Sequence, residues 1–117
     1  MTEKEQQSLL DAICIATSKH VKIARHPKLP YACEKHITGN EKMARVLISG
    51  IAKNLGVDRE LIQTKLCIED GHYFNLIKDF KDFLMLSPNS KQKQLTGVYV
   101  MNHKRIINSL RLLRGTF

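Results

Sequence analysis

Residues 41–84 read EKMARVLISGIAKNLGVDRELIQTKLCIEDGHYFNLIKDFKDFL. Asn40, just ahead, suits a helix N-cap. Met43, Ala44, Leu47, Ile48, Ile51, Ala52 and Leu55 then recur with a period near 3.6, which predicts an amphipathic helix. Gly56 ends it, and Asp58 caps a shorter helix through Leu61, Ile62, Lys65 and Leu66. Cys67 to Gly71 forms the next turn, marked by Asp70-Gly71. A further helix runs through Phe74, Ile77, Phe80, Phe83 and Leu84. Phe74, Ile77 and Phe80, spaced by three, form one core-facing stripe. Phenylalanines at helical spacing read as core rather than as a stacking platform.

A long helix, a short helix, a tight turn and a further helix are the parts of a helix-turn-helix reader. One helix braces the unit on the DNA backbone, and the next presents its N-terminal residues to the major groove. Here the presented residues would be His72, Tyr73, Asn75 and Lys78. Asn and Lys can bond base edges or phosphates, and His and Tyr can bond phosphates. Asp79 and Asp82 share that helix with Lys78 and Lys81. Those acids repel phosphate unless they turn away or pair with lysine.

Outward from this unit the chain stays helical. Leu9, Leu10, Ile13, Cys14, Ala16 and Thr17 stripe a helix over residues 3–23. Pro27 and Pro30 break the pattern. Tyr31 to Ile37 reads as a short helix stopped at Gly39, and Ser87 to Ser90 as a loop. Residues 95–101 have β-branched and aromatic character and could form a strand. Helix is favoured there, continuing through Ile106, Ile107, Leu110, Leu112 and Leu113, because a lone strand leaves its backbone groups unsatisfied. The expectation is an all-α single domain of about five helices, with a helix-turn-helix-like unit at 41–84. A chain of 117 residues can bury the core this requires.

Charge sharpens the functional expectation. The net charge is +8, and it is unevenly placed. Residues 1–18 and 54–90 each carry −2, while 19–53 and 91–117 each carry +6. The last block has six basic groups and no acid. Such blocks attract phosphate polyanions through charge and counterion release. In the tail, Lys104 and Arg111 are seven apart and share a helical face with Asn108 between them, beside Arg105. The same pattern fits a basic amphipathic helix for a membrane surface or a partner groove, or simply the last helix of a bundle with arginines complementing its dipole.

The segment 41–84 resembles the C-terminal DNA-binding domain of the bacterial replication initiator DnaA, a Trp-repressor-like helix-turn-helix. Met43-Ala44-Arg45-Val46 matches the family's Ala-Arg-based helix, and Asp70-Gly71-His72-Tyr73-Phe74 matches the start of its recognition helix. The resemblance implies duplex-DNA binding. Asp70 stands where the family has arginine, Gly71 where it has an acid, and Tyr73 and Phe74 where it has a hydroxyl pair. His72 alone carries over as a DNA contact, and no sequence specificity does.

Other chemistry is poorly supported. His20, His26, Cys33 and His36, with Cys14 upstream, include a two-residue gap of the kind zinc sites use, but no standard zinc pattern fits. No metal and no cofactor are expected. Cys33/His36 or Cys67/His72 could pair as nucleophile and base only if the fold aligned them. No Gly-rich phosphate loop, paired-carboxylate motif or Gly-x-Ser-x-Gly elbow is present, so an enzyme is not expected. Three scattered cysteines point to a reducing compartment, the cytoplasm, and MTEKEQQ does not look like a secretory leader. No apolar run reaches the ~18 residues of a membrane span. The expected function is nucleic-acid binding, with duplex DNA as target and Arg45, His72, Tyr73, Asn75, Lys78, Lys104, Arg105 and Arg111 as contacts. The alternative is a structural or protein-interaction module with a basic surface; a homodimer or protein partner is compatible with either.

Overall fold

The computed structural model describes residues 1–21, 39–85 and 93–114. Among them are five helices and no strand: α1 (Glu3–His20), α2 (Gly39–Asn54), α3 (Arg59–Leu66), α4 (Asp70–Met85) and α5 (Lys93–Arg114). The short helix expected at Tyr31–Ile37 and the loop at Ser87–Ser90 lie outside the described residues.

Helix α2 is the centre of the bundle, packed by all four of the others. Every residue from Met43 to Ala52 is buried. That run holds a single charge, Arg45, which is only 4% exposed. Arg45 is therefore no DNA contact in this fold, because neighbours cover the side of α2 that a one-sided stripe would leave wet. On another side Gly50 lets α4 approach closely: a Cβ there would sit 2.1 Å from the Phe80 ring.

Helix α1 is fixed at both ends. The Thr2 hydroxyl accepts from the Glu5 N–H at 3.2 Å, while Glu3 and Glu5 complement the dipole. At the other end, His20 Nε2 meets the Ser109 hydroxyl of α5 at 2.8 Å. Val21 is already extended, so α1 stops three residues before the expected end at 23. The buried Gln6 accepts from the Asp58 N–H at 2.8 Å, tying α1 to the start of α3. Asp58 holds the N-cap position without making a side-chain cap bond.

Two helix ends shape the α2–α3–α4 path in the same way. At Gly56 (φ 91°) the N–H bonds the Lys53 carbonyl, and the Val57 N–H bonds that of Ala52. At Cys67 (φ 54°) the N–H bonds the Thr64 carbonyl, and the Ile68 N–H bonds that of Gln63. Both are Schellman closures with a left-handed residue at C′. The second lacks glycine, and the turn expected over Cys67 to Gly71 runs two residues too long. Asp70-Gly71 is not the turn but the first turn of α4, and Gly39-Asn40 is likewise already helical.

The phase of α4 also differs from the expected one. Its buried stripe is Tyr73, Leu76, Ile77 and Phe80, not Phe74, Ile77 and Phe80. Phe74 is 54% exposed and Leu84 is 49% exposed, whereas Tyr73 is 4% exposed. The side chain of Phe83 lies outside the described residues. In α5, residues 95–101 are helical as favoured, and Asn102, Ile106 and Leu110 face the core.

Candidate nucleic-acid interface

α3 and α4, joined by the connection Cys67–Glu69, each pack on α2. Ile62, Leu66 and Ile68 are buried on the first half, and Tyr73, Leu76 and Ile77 on the second. With that side committed to the core, α4 turns Gly71, Phe74, Asn75 and Lys78 outward at i, i+3, i+4 and i+7. Asn75 and Lys78 thus stand where the sequence placed them. Tyr73 does not: its ring is core, and burial raises its hydroxyl above the ordinary value. It is not available as a phosphate contact. His72 is half-buried at the edge of this face. Burial, and then the Arg45 guanidinium, hold its imidazole below the ordinary value of 6.5, so at neutral pH it offers a hydrogen bond and no charge.

Sequence reasoning missed Phe74 and Arg59 at this face. The Arg59 guanidinium lies 5.6 Å from the Phe74 ring centroid and also pairs with Asp70 at 3.9 Å. Gln63 donates to the same Asp70 carboxylate at 2.7 Å. The acid at the start of α4 is thus partly neutralised and held sideways towards α3. Asp79 pairs with Lys42 of α2 at 3.6 Å, so it too is balanced from outside its own helix. Asp82 stays exposed one turn beyond Lys78.

α5 carries the second surface. Val98, Met101, Arg105, Asn108 and Leu112 share its outer face, flanked by Lys104 and Arg111. All seven are exposed, and no acid occurs anywhere in the helix. On its inner side His103 meets Phe80 edge-on at 5.5 Å, which seats α5 beside α4. Burial holds the His103 imidazole low as well. Lys42 is paired and Arg45 buried, Lys19 and Lys53 are exposed, and Lys22, Arg25, Lys28 and Lys35 lie outside the described residues.

The cysteine–histidine constellation does not assemble among the described residues, which hold no group of three or more possible metal ligands. His26, Cys33 and His36 fall outside them, and His20 is engaged by Ser109. The Cys14 thiol is buried and pushed up to about 12, chiefly by desolvation, which makes it a poor ligand or nucleophile. Cys67 is exposed, with its thiol directed back at the Thr64 carbonyl at 3.7 Å. No described helix is long and apolar enough to cross a membrane. Compared with known proteins, the chain matches no family model, no curated protein and no solved structure.

Proposed function

We propose that this protein binds double-stranded DNA, with α4 entering the major groove and the outer face of α5 neutralising phosphates. One observation carries the reading. A short helix, a three-residue connection and a longer helix are braced on a buried central helix, and the longer helix turns Phe74, Asn75 and Lys78 outward from its first turns. Lys104, Arg105 and Arg111 add a cationic surface with no acid in its helix. The resemblance of residues 41–84 to the DnaA DNA-binding domain supports the same reading through His72 alone.

Lys78, Lys104, Arg105 and Arg111 would each release about one counterion, so log affinity should fall with log salt at a slope of roughly −3 to −4. Fluorescence anisotropy with a labelled random duplex measures this directly. The absence of binding at tens of micromolar in low salt would remove the proposal.

A second reading has its own support. Val98 and Met101 are each 43% exposed on α5, and Leu112 is 88% exposed. An apolar row bordered by cations suits an acidic protein partner, as in an interaction module. Its binding would depend less on salt and more on Met101 and Leu112 than DNA binding would.

A further inference from the structure

We infer that Phe74 and Asn75 together read thymine and adenine in the major groove, so that the DNA recognised is marked by thymine methyl groups. This rests on the duplex-DNA reading above and specifies it. Phe74 is a large apolar side chain left 54% exposed on the outer face of α4. It is also held in place. Arg59 covers the ring at 5.6 Å, and buried Tyr73 meets it edge-on at 5.4 Å and 69°. Arg59 is itself fixed by Asp70, and Asp70 by Gln63. These contacts restrict the ring, which lowers the cost of ordering it on contact.

The neighbouring residues complete the pattern. Asn75 is next in the chain and exposed, so an amide stands beside the ring. Gly71, one turn earlier, has no side chain, and a Cβ there would meet nothing within 4 Å, so the backbone can approach a groove closely. An asparagine amide matches the N6 donor and N7 acceptor of adenine, and an apolar ring matches the C5-methyl of thymine. Both groups are displayed in the major groove, on one A·T pair or on adjacent pairs. Guanine and cytosine offer neither combination. RNA lacks the methyl and has a major groove too deep and narrow for side chains, so this pairing of residues also selects DNA.

The test replaces thymine by uracil, which removes one methyl per base and leaves pairing and phosphate charge unchanged. A duplex site is first selected from a random thymine-containing library and measured by anisotropy beside a random duplex. Uracil at the contacted position should weaken wild-type binding about 3–5-fold, the worth of one buried methyl. Phe74→Ala should lose a similar factor on thymine DNA and become indifferent to uracil. Phe74→Leu should keep part of the discrimination. Wild-type binding that ignores uracil throughout the selected site, or a selected site without A·T pairs, would overturn the inference while duplex binding itself stands. No binding to any duplex would overturn both. The uracil arm uses unaltered protein, so the result does not depend on how the variants fold.

Discussion

The outer faces of α4 and α5 are built on opposite rules. On α4, cations and carboxylates alternate, and two of its three acids are met by partners on other helices: Arg59 and Gln63 for Asp70, Lys42 for Asp79. What projects between them is an amide and an aromatic ring. On α5 the charges are all of one sign and no partner is needed. The first arrangement is low in net charge and rich in shape and hydrogen-bonding detail. The second is high in charge and poor in detail. A nucleic-acid reader needs both, because phosphate contacts supply affinity and register while base contacts supply discrimination.

The two helices also differ in how they are seated, and this offers the largest perturbation. α4 rests its Phe80 ring against bare Gly50. Gly50→Ala puts a methyl into that ring, so it should destabilise the protein by about 3 kcal/mol, even though alanine favours helix. Thermal denaturation should show a fall of more than about 10 °C. Discrimination between DNA sequences should suffer with it, because the reading face rides on that contact. An unchanged melting temperature would mean that α4 is not pressed against α2 as described.

Next comes the division of labour. Replacing Lys104, Arg105 and Arg111 together by alanine should weaken binding to all sequences alike and reduce the salt slope by roughly 3. Asn75→Ala should leave the salt slope and the fold nearly unchanged, within ~0.5 kcal/mol of stability. It should cost about 1–3 kcal/mol of preference for a selected site over random duplex. If the α5 triple variant altered preference instead, or Asn75→Ala altered the slope, the roles would be reversed.

How well each face could be read from the sequence follows the same contrast. The exposed cations of α5 are legible from spacing and the absence of acids, but Leu112, which counts with the apolar positions, is 88% exposed among them. Gly56 was legible as a helix end, since glycine suits a left-handed C′ residue. Cys67 fills the same role without that marker, so Asp70-Gly71 reads as the end of the turn rather than the start of α4. The phase of α4 is a separate matter: the three-residue spacing of Phe74, Ile77 and Phe80 puts Phe74 in the core, whereas Tyr73, Leu76, Ile77 and Phe80 fill it. Leu76, unplaced in the expected stripe, was the available signal that the phase was wrong. Arg45 reads as a surface residue because a period near 3.6 implies one wet face. Yet Met43 to Ala52 contains no second charge, which is the mark of a helix covered on several sides.

The smallest expected effects concern the two histidines bordering these faces. His72 and His103 are held low, the first by burial and then Arg45, the second by burial. A lowered imidazole means that the unfolded chain binds protons more readily. Stability should therefore be full above the ordinary value of 6.5 and decline as pH falls below it towards the folded-state values. Urea denaturation at pH 7.5 and 5.5 should show the loss, and His72→Gln should reduce it. A stability that rose on acidification would contradict the placement of both rings.

The most direct test is the salt dependence of duplex binding by the unaltered protein. Anisotropy titrations of a random duplex between about 50 and 200 mM salt should give a linear log–log plot with a slope of roughly −3 to −4. A slope near zero, or no binding at the lowest salt, would contradict a DNA-binding function and leave the exposed apolar row of α5 as the surface to explain.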